Sequence, residues 1–222
     1  MIQLSHGVVK EVFSRLLGIS NSIPADRRPL SAVDLVIALH NVELEKKEKQ
    51  KRDALVGSVR KAIDLCFSMK QIFTTQVLTI ALQQLLDQPG IPLLLMRTII
   101  QVLKYYPKLI EFVINSLQKL ILKQVWKHNI IWDGFIKCCK ETIPQSYAVM
   151  LQLPPNQLND FLNRSPNLRE PILEHVQAFT EAQRRHISAS TMAVLYNVNP
   201  EADIPPTKQE DTSADTVVES ME

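Results

Sequence analysis

Five lysines and two tryptophans in one short tract are the residues of this sequence best suited to binding. The lysines are Lys119, Lys123, Lys127, Lys137 and Lys140, and Trp126 and Trp132 lie among them. The first three lysines recur at i+4, which predicts that they line one face of a helix. A row of ammonium groups attracts an acidic partner, and exposed aromatic rings beside it could stack on nucleic-acid bases.

Two interpretations of this tract remain open. In the first, the lysines form a solvated face and their aliphatic stems cover apolar surface. In the second, the tract forms a groove for RNA or for an acidic peptide. Both tryptophans fit apolar stripes of helical period, which favours the first interpretation. Our hypothesis on partner binding names Lys123, Lys127, Lys137 and Lys140 as docking residues.

Residues suited to catalysis or metal binding are too dispersed to form a site. The cysteines are Cys66 and the adjacent pair Cys138 and Cys139, whose side chains diverge in a helix. We predict that they are core or semi-buried thiols. The five histidines include no pair at i, i+4, and the sequence has no glycine-rich phosphate loop or nucleophile elbow. We therefore predict no catalytic residue, no metal and no cofactor, and we expect a protein that is not an enzyme.

The apolar residues that must position the lysine tract follow a helical period nearly everywhere. Val8, Val12 and Leu16 recur every four residues, and Gly18 follows where a left-handed cap would end the helix. Ser31 with Asp34 resembles a capping box. The segment after Pro92 is apolar on most sides, as a buried helix is. About ten such helices with short connections predict an all-α fold, a HEAT-like α-solenoid of antiparallel helix pairs.

Charge and composition divide the chain into three predicted parts. Residues 1–30 hold an N-terminal helix and a proline-containing linker, 31–196 the helical repeats, and 197–222 an acidic tail that we expect to be disordered. Residues 1–200 carry 24 basic and 16 acidic groups, a balance of +8. From Glu201 onward, seven acidic residues accompany one lysine. A basic body favours acidic partners: nucleic acid, an acidic protein segment, or its own tail.

The odd number of cysteines argues against a disulfide framework and favours a reducing compartment. We find neither a secretory signal nor an apolar stretch of the roughly 20 residues that a membrane span needs.

The charged run 43–53 either extends a helix or forms a loop.

Four longer strings resemble the C-terminal domain of the symplekin family. They are SAVDLVIALHNVE from Ser31, LLLMRTIIQVLKYYP from Leu93, KLILKQVWKHNIIWDGFIKCCKETIPQSYAVMLQLPPNQL from Lys119, and PNLREPILEHV from Pro166. The likeness covers about residues 31–196. The run 43–53 resembles an insertion, and the N-terminal phosphatase-binding domain of the family is absent here, so phosphatase binding is not carried over.

The resemblance implies a non-catalytic scaffold of the machinery that cleaves and polyadenylates mRNA 3′ ends and processes histone pre-mRNA. It also implies a nuclear location. The implied partners are subunits of the cleavage and polyadenylation specificity factor, including the endonuclease subcomplex, and the cleavage-stimulation factor. Contact with RNA would be indirect. A direct RNA-binding helical module is the alternative that the basic body favours.

Overall fold

The computed structural model describes residues 6–18, 30–42 and 49–197. These residues form twelve α-helices. They are α1 (His6–Leu16), α2 (Ala32–His40), α3 (Lys49–Ser68), α4 (Thr75–Asp87), α5 (Leu95–Tyr105), α6 (Ile110–Leu122), α7 (Asn129–Glu141), α8 (Tyr147–Met150), α9 (Pro155–Arg164), α10 (Arg169–Gln177), α11 (Glu181–Arg184) and α12 (Ala189–Tyr196). No strand occurs in the described ranges. The all-α prediction is confirmed.

Two of the predicted helix ends have the expected local chemistry. The Ser31 hydroxyl accepts a hydrogen bond from the Asp34 backbone N–H over 3.0 Å, which satisfies one of the free donors at the start of α2. Gly18, just after α1, has a φ of 61°. That left-handed conformation is one that glycine adopts without steric cost.

The helices stack along the chain, and α2 to α10 and α12 pack chiefly on helices one to three places away in sequence. The central element is α5, which contacts α3, α4, α6 and α7. Its residues Leu95, Ile99 and Val102 are fully buried, as the apolar segment after Pro92 predicts. A stack built from near neighbours is the arrangement of an α-solenoid, and the solenoid prediction is confirmed. The HEAT class of the repeat stays a prediction.

A buried histidine joins α2 to α5. His40 Nδ1 donates to the Val36 carbonyl over 2.7 Å, which leaves Nε2 to accept from the Thr98 hydroxyl at 2.8 Å. Burial lowers the pKa of His40. Both ring nitrogens have partners, so this residue is a satisfied core histidine rather than a ligand.

The crossing of α5 and α7 requires a glycine. A Cβ added to Gly134 would lie 2.6 Å from Met96 Cβ and 3.2 Å from its Cγ. Met96 Cβ is fixed to the backbone and cannot rotate away. The two helices therefore approach more closely than any larger residue at position 134 would allow.

The predicted division of the chain meets the described structure only in part. Phe13 of α1 and Leu17, just after it, are buried in the same apolar core as the later helices. The charged run 43–53 reaches into α3, whose first residue is Lys49, but 43–48 lie outside the described residues. The predicted disordered tail is 197–222, and all of it beyond Asn197 is also outside them. No described helix has the length and apolar character needed to cross a membrane.

Candidate docking surface

The lysine tract does not lie on one continuous helix. α6 ends at Leu122, and Gln124 takes a left-handed conformation with φ 55°. A short 3-10 helix, Val125–Lys127, then leads into α7. The expectation that Lys119, Lys123 and Lys127 share one helical face is therefore wrong. We call residues 122–130 the α6–α7 turn.

Two lysines of the tract contact residues at the C-terminal end of α4. Lys119 Nζ lies 3.1 Å from Asp87 Oδ1, and the Lys123 ammonium donates to the backbone carbonyl of Gln88, the C-cap of α4. Cations near a helix C-terminus satisfy free carbonyls and interact favourably with the helix dipole. Lys123 is half-buried in this role. Of the four lysines named for docking, it is the one committed to holding the fold.

The other three named lysines are exposed. Lys137 lies on α7 with Nζ 3.8 Å from Glu141 Oε1, one helical turn away. Lys127, at the end of the 3-10 helix, and Lys140, in the last turn of α7, have no ion-pair partner among the described residues. Between residues 119 and 140 the sequence has five lysines and a single acidic residue, Asp133. That acid is paired with Arg164 at 2.6 Å. Since Lys119 and Lys137 have acidic partners, Lys123, Lys127 and Lys140 carry the positive charge of the tract that no ion pair offsets among the described residues.

The tryptophans belong to the core, as their apolar stripes predict. Trp132 is 2 % exposed and stacks on Phe135 with ring centroids 5.2 Å apart. Its indole Nε1 donates to Asp160 Oδ2 on α9 over 2.6 Å. Trp126 is partly buried and packs against the core. Trp132 therefore offers no open face on which a base could stack, and Trp126 is only partly exposed.

Two exposed aliphatic residues flank the α6–α7 turn, and sequence reasoning missed both. Leu122 is 84 % exposed and Ile130 is 67 % exposed. Their neighbours Ile121 and Ile131 are buried. Successive helical residues point about 100° apart, so adjacent aliphatics at a helix end cannot all face the core. The sequence signal that could have revealed them is the run of consecutive aliphatic residues at each end of the α6–α7 turn. Leu122, Lys127 and Ile130 are all exposed in the α6–α7 turn, which thus presents aliphatic and basic side chains together.

The cysteines are buried core thiols, as predicted. Cys66, Cys138 and Cys139 are at most 2 % exposed. Burial raises the pKa of Cys66 to about 12, and burial followed by the charge of Glu141 raises the pKa of Cys138 to about 12. Burial, with the neighbouring Cys138, also holds the pKa of Cys139 well above its ordinary value. Within the described ranges, no three His, Cys, Asp or Glu side chains lie where they could hold a metal ion.

Comparison with known proteins gives one family. Residues 1–165 match the family described as "Symplekin tight junction protein C terminal". The match begins before residue 31 and ends before residue 196, the limits of the resemblance seen in the sequence. No solved structure matches the chain.

The described fold continues past the matched region. α12 packs on α9 and α10, and Arg169 donates from its guanidinium to the carbonyls of Val194 and Leu195 at the end of α12. The last helices thus extend the same stack. With about three-quarters of its length matched, this chain belongs to the symplekin C-terminal family.

Proposed function

We propose that this chain is a non-catalytic scaffold segment that docks protein subunits of the mRNA 3′-end cleavage and polyadenylation machinery. Membership of the symplekin C-terminal family supports a scaffold role in mRNA 3′-end processing. The partners we propose are subunits of the cleavage and polyadenylation specificity factor, among them the endonuclease subcomplex, and the cleavage-stimulation factor. Processing of histone pre-mRNA and a nuclear location are part of the same proposal.

The observation that carries a protein-docking role is the composition of the α6–α7 turn. Its exposed large apolar side chains are aliphatic, whereas the tryptophans beside it are buried or half-buried. Aliphatic residues next to cations complement a protein segment that carries acidic and apolar side chains. The docking residues we propose are Lys127, Lys137 and Lys140, with Lys123 contributing charge from its position against α4.

Direct RNA binding is the second candidate, and the balance of +8 in residues 1–200 supports it. An RNA groove of the stacking type needs exposed rings. Trp132 is 2 % exposed, which weakens this candidate. The two candidates differ in salt dependence, because neutralising phosphates releases counterions and gives a steep fall of affinity with salt.

Affinity capture from nuclear extract tests the proposal. The tagged full chain is the bait, and mass spectrometry identifies the bound proteins. We expect subunits of the cleavage and polyadenylation specificity factor in the wild-type eluate, retained after nuclease treatment. A variant with Lys127, Lys137 and Lys140 all changed to Glu should lose them, and Lys123 is left unchanged because it holds the end of α4. Two results would count against protein docking at this surface: specificity-factor subunits that are lost after nuclease treatment, or equal amounts of these subunits captured by the variant and by wild type.

Location in the cell is measured separately, because the family description names a tight-junction protein. Imaging of the tagged full-length protein should give nuclear signal. Signal confined to cell contacts would reject the nuclear part of the proposal and leave the docking surface to be judged by capture.

A further inference from the structure

The α6–α7 turn is a fixed surface with an uncovered apolar part. Val125 is fully buried and anchors the 3-10 helix, while Leu122 and Ile130 remain 84 % and 67 % exposed on either side of it. Lys127 lies between them in sequence and has no ion-pair partner in the part of the chain that the structure describes. An occupant of this surface must therefore bring aliphatic side chains and negative charge together.

One segment of this same chain has that composition. Residues 201–222 carry seven acidic groups and one lysine, so their charge is opposite to that of the body. Val217 and Val218 stand between Asp215 and Glu219. This short stretch combines two aliphatic side chains with a carboxylate on each side. It complements two exposed aliphatics with a lysine between them.

The segment starts close enough to reach the turn. Asn197, the last described residue, follows α12, which packs on α9. Asp160 of α9 accepts the hydrogen bond of Trp132, two residues beyond Ile130. Packed helix axes lie about 8–10 Å apart. Twenty residues of extended chain span up to roughly 70 Å. Val217 and Val218, about 20 residues beyond Asn197, can therefore reach the turn with slack.

We propose that residues 215–219 dock on the α6–α7 turn of the same molecule. In this arrangement Val217 and Val218 cover Leu122 and Ile130, and Asp215 and Glu219 approach Lys127. Because the two parts belong to one chain, their effective concentration is on the order of millimolar, so even a weak contact is well populated. The segment would then compete with any acidic partner for this surface. This inference concerns the isolated chain and goes beyond the proposed function.

Paramagnetic broadening in the full-length protein tests the contact. Ser220→Cys places a single reactive thiol beside Val218, since the native cysteines are buried. A nitroxide on that thiol weakens backbone amide signals of residues close to it. With isotope-labelled protein, we expect a selective loss of signal at residues 122–130, largely recovered at about 1 M salt, where screening is strong.

Two variants show whether the apolar contact is responsible. Leu122→Ser with Ile130→Ser should restore the signals of the rest of the turn. The matched control, Val12→Ser with Ile80→Ser, changes two other exposed aliphatics, 42 % and 40 % exposed, and should leave the loss unchanged. All four positions are exposed, so we expect every variant to keep the wild-type spectrum elsewhere.

Three results would overturn the inference. They are no loss at residues 122–130, a loss that persists in the Leu122→Ser, Ile130→Ser variant, and a loss between separate molecules. To detect contact between separate molecules, unlabelled protein that carries the nitroxide is mixed with isotope-labelled protein that does not, and signal loss in this mixture shows such contact. None of these results bears on capture of processing subunits, so a failure here is distinct from a failure of the proposed function.

Discussion

The indole Nε1 of Trp132 donates a hydrogen bond to Asp160 Oδ2 over 2.6 Å, and this bond ties α7 to α9. The same carboxylate lies 3.0 Å from Arg164 Nε, and Arg164 also reaches Asp133. The most distinctive aromatic residue of the lysine tract is thereby committed to helix packing. Binding at this surface must then use the residues left outside, above all Leu122, Lys127 and Ile130.

The Trp132 bond gives the first prediction. Asp160→Ala should lower the free energy of unfolding by about 1–3 kcal/mol, because a buried indole N–H loses its acceptor. Asp133→Ala is the matched control, since it also removes a carboxylate from Arg164 but leaves Trp132 satisfied. Urea unfolding should show a clearly smaller loss for the control. Equal losses would mean that the ion pairs, and not the indole bond, hold α7 to α9.

The His40–Thr98 bond predicts that stability falls on mild acidification. Burial lowers the pKa of His40 below its ordinary value of 6.5, so below about pH 6.5 the unfolded chain binds a proton that the folded chain does not. The stability that neutral His40 contributes is complete above pH 6.5. It is lost as the pH falls toward the pKa of His40 in the folded protein. The slope for one such group is at most about 1.4 kcal/mol per pH unit.

Urea unfolding at pH 7 and pH 5 measures this effect. We expect His40→Gln to be less stable than wild type at pH 7 but to lose less on going to pH 5. Comparing the two proteins isolates His40 from the other titrating groups. If wild type and His40→Gln lose the same free energy of unfolding between pH 7 and pH 5, then His40 does not cause the acid sensitivity.

Two glycines in helices should respond to alanine with opposite signs. Gly134→Ala places a Cβ 2.6 Å from Met96 Cβ and forces α5 and α7 apart, at a cost of typically 1–3 kcal/mol. Gly57→Ala, in α3, meets nothing within 4 Å and should raise stability by roughly 0.5–1 kcal/mol. Thermal unfolding followed by circular dichroism checks both. A Gly134→Ala protein as stable as wild type would contradict the close crossing.

The three thiols should be unreactive in the native protein. They are buried, and their raised pKa values leave almost no thiolate at pH 8. A thiol-specific chromogenic reagent should therefore detect three thiols only after a denaturant is added. Rapid reaction of one or more thiols in native buffer would mean that the core around α3 or α7 opens readily.

Helix types and the core could be predicted from sequence because each depends on a local apolar period. The stripe of α4 and the apolar side of α5 are buried as their spacing indicates, while Arg97 and Lys104 of α5 are exposed. The break between α6 and α7 could not be predicted in the same way. Gln124 is left-handed although no glycine or proline lies between residues 119 and 130 to signal a helix end. An i+4 row of lysines is equally compatible with a continuous helix.

The candidate site was predictable only as a tract. Sequence spacing located the lysines but could not show that Lys123 is committed to the end of α4, because that contact joins residues 35 positions apart. Nor could it show which aliphatics of the two apolar runs face outward. Those outcomes depend on tertiary packing. They change the proposed docking set from four equivalent lysines to Lys127, Lys137 and Lys140, with Leu122 and Ile130 beside them.

Binding of a purified partner subunit to charge-reversed variants tests the central claim most directly. Lys127→Glu with Lys140→Glu alters two exposed lysines that have no ion pair among the described residues. Lys10→Glu with Lys61→Glu makes the same change of net charge on exposed helical positions of α1 and α3. With each exposed charge contributing up to about 1 kcal/mol, we predict that the first pair weakens binding of a captured specificity-factor subunit by roughly 5- to 30-fold. The control pair should weaken it by less than about twofold, and both proteins should melt near the wild-type temperature. Equal affinities of the two variants for that subunit would contradict docking at Lys127 and Lys140.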